Sequence, residues 1–181
     1  MATWSSNLST NRLLVRLGGS EAAGSAIAQR VLDRLGATSS TFTGPYEVEP
    51  YADSGMPRPL PILTYRRTTA HDVGRILYAL HAAALGRPEA ARRTRLSRHE
   101  ARVGLALLLS SARTGDNAGI LRPPGPAAQK QGWTRNVRHT AAILYEPGGP
   151  KIVVLLTFRL DEVSYTASLS LGRRVLALVR R

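Results

Sequence analysis

Residues 127–158, AAQKQGWTRNVRHTAAILYEPGGPKIVVLLTF, decide the fold class. Three short runs rich in Val, Ile, Leu, Tyr and Trp lie within or at the ends of this stretch: Ala128 to Thr134, His139 to Tyr145 and Ile152 to Phe158. Such residues suit a pleated, half-buried surface, so each run predicts a strand. Between the last two, Glu146-Pro147-Gly148-Gly149-Pro150 is a turn signal and predicts an antiparallel hairpin. Downstream, from Ser164 to Arg181, apolar residues fall at Leu169, Leu171, Val175, Leu176 and Val179, with basic residues in the last turn. That pattern predicts a terminal helix packed on the sheet.

Upstream of residue 127 the period changes to that of helices. Leu8, Leu13, Leu14 and Leu17 predict a short helix stopped at Gly18-Gly19. Ser20 then caps a second helix, with Glu21 in its first turn and an apolar stripe through Ala26, Ile27, Val31, Leu32 and Leu35 to Gly36. The stretch Thr43 to Pro61 holds five prolines and two glycines without a period, and predicts a long irregular loop over a site. Thr69 and Asp72 open a third helix that runs through Val73, Ile76, Leu77, Leu80 and Leu85 to Gly86-Arg87-Pro88. Ser97 and Glu100 form a capping box for a fourth, through Val103, Leu105, Leu107, Leu108 and Leu109, which breaks near Thr114 to Asn117. The order is helices, three antiparallel strands, then one helix: a single α+β domain over 1–181, mostly helical over 1–126, with strands and terminal helix over 127–181.

Composition narrows the function. Lys plus Arg number 25 against 12 Asp plus Glu, a formal charge of +13, and only Lys130 and Lys151 are lysines. The absence of cysteine excludes a disulfide framework, thiolate-ligated zinc, an iron-sulfur cluster and a cysteine nucleophile. No apolar run approaches the roughly 18 residues that span a bilayer, and no signal-peptide pattern follows Met1. The densest basic run, Arg87 to Arg102, lacks interleaved aromatics that would stack on bases, so a solvated arginine-rich face is favoured over nucleic-acid binding. The four histidines at 71, 81, 99 and 139 lack metal-ligand spacing, and no metal or other cofactor is expected.

Two short segments stand out. Lys130-Gln131-Gly132-Trp133-Thr134 begins a strand, where a glycine lets a ligand approach the strand edge while the ammonium meets an anion. Ser5-Ser6-Asn7 precedes the first helix and offers a hydroxyl and an amide to the same cleft. Together they resemble the penicillin-recognising serine hydrolases, the class A β-lactamases and D-alanyl-D-alanine peptidases, whose three motifs are Ser-x-x-Lys, Ser-x-Asn and Lys-Thr/Ser-Gly. Residues 1–14 resemble the Ser-x-Asn segment and its following helix, Arg67 to Asp72 the start of a later helix, and Gln129 to Thr134 with the hairpin the last three strands. The resemblance covers nearly the whole chain and implies a β-lactamase/transpeptidase-like fold with an incomplete sheet.

By that resemblance Ser5 relays a proton, Asn7 bonds the substrate's amide side chain, Lys130 stabilises the substrate carboxylate and the proton network, and Gly132 leaves room along the strand. Gln131 stands where the family has Thr or Ser, an amide donor on a longer arm. Glu47 and Glu49 lie where class A enzymes keep a deacylating glutamate, but no Asn follows. The implied substrate is a β-lactam or a D-Ala-D-Ala peptide, and the implied location is extracytoplasmic. Both lysines lack the motif's serine, with Ala127 and Gly148 standing three residues before them. The expectation is therefore the C-terminal part of a longer protein, without hydrolysis as it stands, and with an unpaired edge on the strand Ile152 to Phe158. The alternative reading is a non-catalytic basic module that binds cell-wall or other polyanions.

Overall fold

The computed structural model describes residues 5–46, 67–111 and 119–180. Six helices and one sheet follow in the order α1 (Asn7–Gly18), α2 (Glu21–Leu35), α3 (Ala70–Ala84), α4 (Pro88–Thr94), α5 (Arg98–Leu109), β1 (Ala127–Trp133), β2 (Val137–Glu146), β3 (Gly149–Phe158) and α6 (Tyr165–Val179).

The helices begin where short polar side chains satisfy free backbone N–H groups. Ser6 Oγ accepts from the Ser9 amide, Ser20 Oγ from Ala23, Thr69 Oγ1 from Asp72 and Ser164 Oγ from Ala167. Ser97 and Glu100 make both bonds of the expected capping box. Gly19 and Gly36 end α1 and α2 in left-handed conformation. The Gly18-Gly19 turn folds the two helices against each other so closely that a Cβ on Gly24 would stand 2.1 Å from the Leu14 carbonyl oxygen. The sequence reading missed α4. Pro88 at its start, Glu89 in its first turn and Arg92 and Arg93 in its last are ordinary helix signals, hidden because the segment reads as a basic run.

The sheet is antiparallel in the order β1-β2-β3, with Lys130 opposite Ala141, Gly132 opposite His139, and Ile143 opposite both Ala128 and Ile152. Strand alternation sorts its residues onto two cores. Ala128 and Ile143 pack against Leu77, Ala83, Ala101 and Leu105 of α3 and α5. Ala127, Ala142, Leu144 and Val153 pack against Leu176 of α6. Helices thus cover both faces, and each fully buried aliphatic side chain on β2 contributes about 1.5–3 kcal/mol of burial.

Two devices hold α6 in place. The Arg138 guanidinium lies 5.3 Å from the Trp133 ring centroid and 4.7 Å from that of Tyr165, joining β1, β2 and the start of α6 by cation–π contact. Gly172 sits where a Cβ would come within 2.0 Å of the Ile120 carbonyl oxygen, so only glycine lets α6 touch the segment leading into β1. Among the described residues β3 has no strand on its second side, as expected, and no helix is long and apolar enough to cross a membrane.

Candidate active site

The site forms where the start of α1 meets β1. Lys130 lies on the same face of β1 as Ala128, but further along the strand, beyond the helical core. Its Nζ donates to Ser5 Oγ at 2.5 Å and to the Gln131 carbonyl oxygen at 2.6 Å. Burial pushes the Lys130 ammonium below the usual lysine range. The two residues are 125 positions apart, so this contact exists only because the helices return the chain start to the sheet.

Ser5 has φ 57°, a left-handed conformation uncommon for a residue with a Cβ. Strain of that kind costs about 1–3 kcal/mol and persists only where the surroundings fix the residue. Asn7 is exposed at the first position of α1, one residue beyond the Ser6 cap. Ser5, Asn7 and Lys130 thus share one corner of the fold. Gly132 is exposed two residues beyond Lys130, and nothing lies within 4 Å of where its Cβ would stand. Because β1 pairs only with β2, its outer edge has no strand partner among the described residues.

Gln131 is placed differently. It is buried, and its carboxamide oxygen accepts from Ser111 Oγ at 3.0 Å just beyond the end of α5. The bond ties the helical region to β1 beside Lys130. Glu47 and Glu49, with most of the loop Thr43 to Pro61, lie outside the described residues.

The start of that loop is described, and it is held by two side chains the sequence reading did not single out. Buried Asn11 on α1 donates from Nδ2 to the Tyr46 carbonyl oxygen and accepts at Oδ1 from the Tyr46 amide, both at 2.7 Å. Gln29 on α2 accepts from the Phe42 amide at 2.7 Å and donates to the Ser40 carbonyl oxygen at 3.2 Å. Below them, Ser40 Oγ donates to the buried Asp72 carboxylate at 2.8 Å. A polar residue on the inward stripe of an amphipathic helix, as Asn11 is, was the available signal.

Among the described residues no cluster of His, Asp and Glu is arranged to hold a metal ion. What the corner offers is a half-buried ammonium, a hydroxyl that accepts from it, an exposed amide side chain and an open strand edge.

Residues 1–177 match the family described as the β-lactamase enzyme family, and the chain belongs to it. Solved structures show the same fold. A β-lactamase from Sphaerobacter thermophilus superposes with a TM-score of 0.63 at 19% identity, over 92% of this chain and 56% of its own. A β-lactamase from Chitinophaga pinensis gives 0.66 at 15% identity, over 94% and 58%. PBP-A gives 0.61 at 18% identity, over 96% and 57%. The chain thus spans less than two thirds of the length of these structures. No curated protein matches it.

Proposed function

We propose that this chain forms the substrate-anchoring and proton-relay side of an acyl-transfer cleft for β-lactams or D-Ala-D-Ala peptides. The observation that carries the reading is the hydrogen bond from Lys130 Nζ to Ser5 Oγ. An ammonium that donates to a hydroxyl leaves the hydroxyl proton free to point away from it, toward a leaving nitrogen. The same charge, partly withdrawn from water, attracts a substrate carboxylate more strongly than an exposed lysine would. Asn7 supplies an amide at the mouth of the corner, and the open edge at Gly132 accepts an extended acyl chain alongside β1.

Covalent acyl transfer also needs a nucleophile with a base beside it. The family's Ser-x-x-Lys does not occur among the 181 residues, since both lysines lack serine three positions earlier. In this reading the 181-residue chain binds substrate without forming an acyl-enzyme, and complete turnover requires that motif from another segment. The resemblance to PBP-A supports the substrate class, because a PBP-A variant has been solved as its acyl-enzyme complex with penicillin G, at 16% identity to this chain.

The test is fluorescent penicillin incubated with the purified chain, read by binding at equilibrium and by label surviving denaturation. Saturable binding lost in Lys130→Ala, with no surviving label, is expected. Surviving label on the chain would overturn the non-covalent reading, and binding unchanged in both Lys130→Ala and Ser5→Ala would overturn the site.

A further inference from the structure

A second concavity lies away from the Ser5 and Lys130 corner, between α2, α3 and α4. Its volume is about 350 Å³, within the usual range for small-molecule sites. The floor is apolar, from Leu35, Ala79, Ala82 and Ala90, and the exposed ring of Tyr78 stands at its rim. Arg75, Arg87 and Arg93 also line it, with Glu89 as the one acid.

The charges do not cancel. Glu89 pairs with Arg92, outside the concavity, at 2.6 Å, and reaches Arg93 only at 3.9 Å. Arg75 is held without a carboxylate: its Nη1 donates to the Gly36 carbonyl oxygen at 3.1 Å. Gly36 is left-handed at φ 77°, and a Cβ there would stand 2.7 Å from Arg75 Nη1 and 3.9 Å from Arg93 Nη2. Two guanidiniums therefore converge over one glycine. The Arg87 side chain makes no hydrogen bond or ion pair among the described residues, and its charge is felt at His81, which burial and then Arg87 hold below the usual histidine range.

Like charges gathered over an apolar floor repel one another unless an anion joins them. A planar guanidinium matches the paired oxygens of a phosphate. We propose that this concavity binds a small aromatic phosphate ester, its ring on the Leu35, Ala79 and Ala82 floor beside Tyr78 and its phosphate among Arg75, Arg87 and Arg93. The site is independent of the acyl-transfer reading and takes a different class of ligand.

The probe is 1-naphthyl phosphate titrated into the full chain by isothermal calorimetry, alongside 1-naphthol and inorganic phosphate. The expected result is saturable binding at least tenfold tighter than either half-probe. Arg87→Gln should weaken it about tenfold, Ala79→Phe should abolish it by filling the floor, and Arg173→Gln on α6 should leave it unchanged. Circular dichroism establishes that each variant is folded. Because the Arg87 side chain makes no hydrogen bond or ion pair among the described residues, Arg87→Gln keeps the test valid if Ala79→Phe does not fold. Naphthol binding as tightly as the ester would overturn the role of the arginines. Binding untouched by Arg87→Gln, or equally weakened by Arg173→Gln, would overturn the site, as would no binding at millimolar probe.

Discussion

The two outer edges of the sheet have opposite chemistry. β1 carries Gln129, Lys130, Gln131 and Gly132 in succession, and its free edge opens beside Ser5. β3 runs Ile152, Val153, Val154, Leu155 and Leu156 without a charge, the composition of an interior strand, yet among the described residues it too lacks a second partner. Natural sheets guard free edges with charge, proline or glycine kinks, or leave them open to accept a strand or ligand. The β1 run is polar and interrupted by glycine. The β3 edge is built for apolar cover on both faces and for continued backbone pairing. The contrast teaches that two open edges of one sheet can differ in kind: β1 is broken by polar residues and glycine, whereas β3 is continuously apolar.

The most damaging way to break the comparison is through the strand both edges share. Ile143 is fully buried on β2 opposite Ala128 and Ile152, so Ile143→Ala should lower stability by about 3–4 kcal/mol in urea unfolding and loosen both edges together. A loss under about 1 kcal/mol would mean that the strands do not depend on a common core. Next, Leu156 lies outside both buried clusters, and Leu156→Lys places a charge in the β3 run. Light scattering should show concentration-dependent association of the parent chain that this variant suppresses. A parent that stays monomeric at high concentration would remove the liability from β3.

Acidification should act through the histidines. Burial holds His81 and His139 below the usual histidine range, and His139 Nδ1 accepts from the Thr157 amide at 3.2 Å in the β2–β3 ladder. Between each folded pKa and the unfolded value of 6.5 the unfolded chain binds more protons. Stability is therefore fully present above pH 6.5 and falls as pH drops through and below it. His139→Gln should flatten part of that slope in thermal melts between pH 7 and 5, and an unchanged slope would dissociate His139 from the effect. The smallest stability change is expected at the ligand edge. Gly132→Ala meets no atom within 4 Å, so stability should move by less than about 1 kcal/mol, while penicillin binding along β1 weakens.

Local chemistry made much of this readable beforehand. Ser20, Thr69 and Ser97 announced their helices because a cap needs only residues three positions away, and Pro147-Gly148-Gly149 announced the hairpin for the same reason. α4 was lost because its two arginines, Arg92 and Arg93, read with the neighbouring Arg87, Arg95 and Arg98 as a solvated basic run as well as a short helix. Asn11 and Gln29 were passed over because their partners, Tyr46 and Phe42, are neighbours only after folding.

The sequence by itself determined the helix starts, the strand runs, the positive charge and, through the segments at Ser5-Ser6-Asn7 and Lys130-Gln131-Gly132, the family. Those features depend on residues close in the chain or on local pattern. Tertiary structure alone decided that Lys130 reaches Ser5, that Gln131 is buried against Ser111, and that Arg75 and Arg93 converge over Gly36. Each joins residues 18 to 125 positions apart, and no spacing rule spans such distances: packing of helices on a sheet brings them together.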